Sequence, residues 1–124
     1  MSSYSLRTDV EKNRLYLTLD GFFEYDKIVE VAQEIMIELK RLKTGYSFIN
    51  DVSNFKPTTE EGVEEIKKIQ LYMYNNGLGK VVRVVGKSLM SKLQFERKSK
   101  EVGYSAEHVQ TVTEAEKILD ECSV

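Results

Sequence analysis

The chain has 124 residues, a formal charge of −2, one histidine and one cysteine. That length suits a single compact domain with a sizeable core, and 41% hydrophobic with 31% charged residues argues against both a disordered and a membrane-embedded chain. Cys122 alone excludes an internal disulfide framework or a cysteine-rich zinc site, and His108 alone excludes a histidine cluster.

From the start of the chain, Tyr4, Leu6 and Thr8 alternate, as do Leu15, Leu17 and Leu19. Period two on either side of the polar stretch Asp9–Asn13 predicts two antiparallel strands over 4–9 and 14–19, the second closed by Asp20 and Gly21. Ile28, Val31, Ala32, Ile35, Met36, Leu39 and Leu42 form one helical stripe. Asp26 is its expected N-cap and Gly45 its stop. Tyr46–Asp51 is aromatic and apolar and reads as a buried strand.

Pro57 then breaks the chain, and Thr58 with Glu61 makes a capping box for a helix running to about Asn75. Its inner arc carries Val63, Ile66, Ile69, Gln70 and Met73, with Tyr72 pointing away. Val81–Val85 is β-branched and reads as a central strand covered on both faces. Ser88 caps a further expected helix to about Val102. A short strand over 109–112 follows, and Thr113 with Glu116 opens a terminal helix carrying Ala115, Ile118, Leu119 and Cys122. The resulting order, ββαβαβαβα, predicts an α/β domain over 1–124, a mostly parallel sheet with an antiparallel N-terminal hairpin and four helices.

Motifs for chemistry are sparse. Gly77-Leu-Gly79 precedes a strand, whereas a phosphate loop needs glycines followed by a helix, so these glycines read as a helix stop and turn. Glu60, Glu61, Glu64 and Glu65 sit where carboxylates complement a helix dipole. His108 reads as a surface histidine and Cys122 as a buried, inert thiol. No catalytic residue, metal site or cofactor is expected. Residues 80–100 hold seven basic side chains, among them Lys92, Arg97 and Lys98, against one acid; residues 101–124 hold six acids against Lys117. Such polarity suits docking or head-to-tail self-association, and without a basic–aromatic motif it does not suggest nucleic acid.

The element order and the stretch around Asp51 resemble STAS domains, especially the divergent SpoIIAA-like, anti-sigma-factor-antagonist-like group. Asp51-Val52-Ser53 is similar to that family's Asp-Leu-Ser-like strand end, and Thr59-Glu60-Glu61-Gly62 falls on its Asp-Ser-Ser-Gly-like turn. The resemblance implies a regulatory domain that docks a partner protein, kinase-like or otherwise signalling, through the start of the second helix. It places Ser53, Phe55, Thr58, Thr59, Glu60 and Glu61 in that region, with Tyr72, Lys92, Arg97 and Lys98 as a secondary surface. Glutamates where the family's phosphorylated serine stands imply that the phospho-switch is absent or has moved to Thr58 or Thr59, and the expected capping role of Thr58 favours absence.

The alternative reading, through the related SEC14-like domains, is a module for a lipid or other apolar ligand. A large apolar cavity favours it. A flat apolar patch around Phe55, Pro57 or Tyr72 favours docking, and convergent carboxylates with raised pKa values favour an enzyme. No secretory signal is read at the N-terminus and no apolar run long enough to span a bilayer, so a cytoplasmic protein without membrane insertion is expected, with a homodimer as its expected self-association.

Overall fold

The computed structural model describes residues 2–56, 59–85 and 106–122. Five strands form one sheet in the order β1 (Ser3–Asp9), β2 (Arg14–Phe22), β3 (Tyr46–Lys56), β4 (Leu78–Val84) and β5 (Ala106–Val109). β1 pairs antiparallel with β2, and every later pairing is parallel. Helices α1 (Tyr25–Leu39) and α2 (Glu60–Asn75) link the central strands, and α3 (Val112–Cys122) ends the described chain. The expected helix over 88–102 lies outside the described residues.

The first hairpin follows from its polar turn. Asn13 adopts φ 54°, in the left-handed region that asparagine tolerates, while Lys12 N donates to Asp9 Oδ1. Asn13 then binds both backbone groups of Lys43, accepting from its N at 2.8 Å and donating to its O at 3.1 Å. A turn residue thereby holds the connection that leads from α1 into β3.

Two hydrophobic layers sandwich the sheet. On one face Leu15, Leu17, Leu19, Phe48 and Val81 pack against Ile28, Val31 and Ile35 of α1 and Ile66 and Met73 of α2. On the other, Tyr16, Ile49, Val82 and Val84 pack against Ala115 and Leu119 of α3. β2 is therefore buried on both faces over Arg14–Leu17, where alternation alone suggested a half-buried strand. Each fully buried large side chain contributes about 1.5–3 kcal/mol.

Both strands at the centre outrun their sequence-based limits. Asp20 and Gly21 do not close β2, because pairing with β3 continues to Phe22, and β3 extends past Asp51 to Lys56. Thr18 pairs with Asp51 but Asp20 with Asn54, so β3 carries one extra residue. This bulge resets the alternation and turns both Val52 and Phe55 to the α1–α2 face. Phe55 meets Phe23 there, ring centroids 5.7 Å apart.

The helix ends also correct the expected caps. α1 begins at Tyr25 after Glu24, whose side chain makes no capping bond, and Asp26 lies within the first turn. The helix closes at Leu39, so Leu42 packs on the core from the following turn, and Gly45 (φ 90°) shapes the entry to β3. α2 is capped by Thr59, whose Oγ1 accepts from Gly62 N at 3.2 Å. The N-cap is thus Thr59, one residue later than expected, and Thr58 lies outside the described residues. α2 ends at Asn75 as expected, and Gly77 takes φ 94° just past it.

Candidate functional site

The sequence-derived docking residues separate in the structure. Ser53 is half-buried in the bulge, its N and Oγ both donating to Asp51 Oδ1 at 3.0 and 2.6 Å. These bonds stabilise the irregular backbone of β3. Phe55 is 2% exposed and belongs to the core, so it offers no exposed apolar surface of its own. Thr59, Glu60 and Glu61 are exposed at the first turn of α2. Tyr72 is half-buried, while Pro57, Thr58, Lys92, Arg97 and Lys98 lie outside the described residues.

Two aromatic residues that the sequence reading passed over are exposed at the carboxyl edge of the sheet. Phe22 ends β2 and is 39% exposed; Tyr25 opens α1 and is 38% exposed. Phe22 pairs in register with Lys56, the last residue of β3, so α2 opens at this same edge. The signal was present in the sequence: Leu19, Gly21 and Phe23 continue one alternating row, which leaves Phe22 on the opposite side of the strand.

Beside Phe22, an open groove of about 490 Å³ runs between Ser2, Glu24, Asp26, Lys27 and Glu30. Lys27 Nζ lies 3.3 Å from Glu30 Oε2. Tyr4 OH donates to Glu30 and Glu34, and Thr8 Oγ1 donates to Glu38 at 2.6 Å. One row of α1 carboxylates therefore ties the edge strand down. The Tyr4 bond, then Lys27, holds the Glu30 carboxyl below its ordinary range. Burial and the two carboxylates push the Tyr4 phenol up.

Under α3 lies a second polar cluster. Arg14, 1% exposed, donates to Asp120 at 2.9 Å, to Tyr16 OH at 3.3 Å and to Ser47 Oγ at 3.4 Å. Tyr16 OH donates to Glu116 at 2.9 Å, and the Arg7 guanidinium sits 3.8 Å over the Tyr16 ring. Burial lowers the Arg14 pKa, but its bonds to Tyr16 and Asp120 outweigh that and raise it. The Arg14 bond depresses the Asp120 carboxyl.

These contacts alter the expected charge polarity. Three acids of the terminal segment are engaged with the sheet: Asp120 with Arg14, Glu116 with Tyr16, and Glu107 with Lys80 at 2.8 Å. Arg83, counted among the basic side chains of 80–100, is fully buried. His108 is half-buried with Nε2 3.5 Å from Arg83 Nη1, not a free surface histidine. The Cys122 side chain lies outside the described atoms.

No family model and no curated protein matches the chain. Its structure is similar to the crystal structure of an uncharacterised protein of the DUF3478 family with a SpoIIAA-like fold, from Shewanella loihica PV-4. The TM-score is 0.72 at 8% sequence identity, over 95% of this chain and 93% of that one. The chain therefore has a SpoIIAA-like α/β fold, as the sequence resemblance implied. No described helix is long and apolar enough to cross a membrane.

Proposed function

We propose that the chain is a non-enzymatic regulatory domain that docks a partner protein at the carboxyl edge of its sheet. The observation that supports this is the pair of exposed aromatics, Phe22 and Tyr25, at the edge where α2 opens with Glu60 and Glu61. Apolar anchors framed by acids suit a partner segment that combines apolar and basic side chains. The docking region of the sequence reading is kept at its α2 end and widened to the β2–α1 corner. Phe22 and Tyr25 are its apolar anchors, whereas Phe55 is buried in the core.

Regulation in this reading does not use the serine switch. Glu60 and Glu61 hold fixed negative charge, and the Thr59 hydroxyl is engaged in capping α2. The apolar-ligand reading is disfavoured by size among the described residues: the space between α1, α2 and the sheet is about 50 Å³, against roughly 150 Å³ for a cavity that binds benzene.

Capture of partners from native cytoplasm tests the reading with two double variants. Phe22→Ser/Tyr25→Ser removes the proposed anchors. Ile37→Ser/Tyr74→Ser removes two other exposed apolar side chains, 60% and 53% accessible. A partner retained by the wild type and the second variant but lost at least tenfold with the first is the expected result. Equal retention by both variants contradicts the docking edge.

A further inference from the structure

Between α1, α2 and the sheet lies a space of about 50 Å³ whose wall is mostly apolar, with Leu17, Phe23, Ile28 and Val31 among its lining. Two side chains interrupt that wall. Asn50 reaches it from β3 and Gln70 from α2, each 4% exposed. Asn50 Oδ1 and Gln70 Oε1 have no hydrogen-bond partner among the described residues. Buried carboxamide oxygens carry a desolvation penalty that apolar residues of similar shape avoid. Sheet and helix each bring one to the same small space, so neither belongs to a cap or a local turn.

We propose that this cavity is an internal binding site for a small hydroxyl donor, whose O–H groups satisfy Asn50 Oδ1 and Gln70 Oε1. The two free acceptors call for a donor. A calcium ion, which takes six to eight oxygen ligands, finds too few here. Volume sets the upper size: one water needs roughly 10–15 Å³ of such space and benzene about 150 Å³. The occupant is therefore one or a few waters, or a short-chain alcohol with its alkyl group against Ile28 and Val31. Water can donate to both oxygens at once, and an alcohol to one.

The two sources are distinguished on the full chain by NMR of the Asn50 and Gln70 side-chain NH2 groups. In the water arm, these groups show cross-relaxation with a long-lived water. In the alcohol arm, ethanol shifts them saturably, at least tenfold more strongly than acetonitrile, which has no O–H. Either signal supports the site and names its occupant. The Asn50→Leu/Gln70→Leu variant lacks both NH2 groups and is read at the Ile28 and Val31 methyl groups lining the same space; it is expected to melt cooperatively and to lose the water cross-relaxation and the ethanol shift that the wild type shows there. Where that variant fails to fold, Gln70→Met alone is expected to weaken the signal at Asn50 at least tenfold. Absence of both signals in the wild type, or their persistence in a folded variant, overturns the proposal.

Discussion

Thr59 and Gly79 show how single residues set the geometry around the sheet. The Thr59 hydroxyl meets one of the donors left free at the start of α2. Thr59→Ala is expected to cost about 1 kcal/mol of stability in urea unfolding, and an unchanged midpoint would exclude the capping role. Gly79 acts through close approach: a Cβ there would stand 2.6 Å from the Gly45 carbonyl oxygen and 3.0 Å from that of Tyr46. Backbone must move to admit it. Gly79→Ala is expected to destabilise the chain by about 1–3 kcal/mol, read as a lower thermal midpoint. The Gly-x-Gly pair is thus explained by strand packing and a left-handed turn, in agreement with its reading as a helix stop.

At the level of elements, α3 depends on a buried cation beneath it. Arg14 donates to Asp120, and the folded Asp120 pKa lies below its ordinary 3.8. A depressed carboxyl contributes stability that is complete above the ordinary value and lost as pH falls through the lowered one. Amide protection in α3, relative to the intrinsic exchange rate at each pH, is therefore expected to fall below about pH 4. In Asp120→Asn this acid step should be absent, with faster exchange already at neutral pH. An identical acid step in the variant would place its origin elsewhere.

Elements were also the most legible level of the sequence. The α1 stripe, the α2 arc, the first hairpin and the β-branched run of β4 all follow from period, and the structure places them where that period indicates. Two misses were local: the last strand, expected over 109–112, lies at Ala106–Val109, and α3 opens at Val112 behind Thr111, whose Oγ1 accepts from Glu114 N at 3.1 Å, not behind Thr113 with Glu116. Other misses came from contacts across the sheet. The bulge in β3 is a pairing event between Thr18–Asp20 and Asp51–Asn54, with no local sign beyond Asp51 and Ser53. It explains why Phe55, taken for a docking residue, points into the core. The bonds of Asp120 and Glu116 were hidden for the same reason, since their partners Arg14 and Tyr16 lie about a hundred positions earlier in the chain.

For the whole molecule, a net charge of −2 conceals how the charges are used. Acids of α3 and β5 bind the cations Arg14, Lys12 and Lys80, and those of α1 hold the edge strand. The exposed acids at the carboxyl edge, Glu24, Asp26, Glu60 and Glu61, then frame Phe22 and Tyr25. Because surface attraction is screened by salt, partner association is expected to weaken between 50 and 300 mM salt, mainly through its on-rate. Salt-independent association would remove the acidic frame from the account.

The most direct measurement is hydrogen exchange of the chain alone and in complex with the captured partner. Docking at the carboxyl edge is expected to slow exchange over residues 22–26 and 59–62, while residues 36–41 and 71–76 at the opposite ends of α1 and α2 exchange as before. Protection confined to those opposite ends, with the Phe22–Tyr25 corner unchanged, would contradict the account.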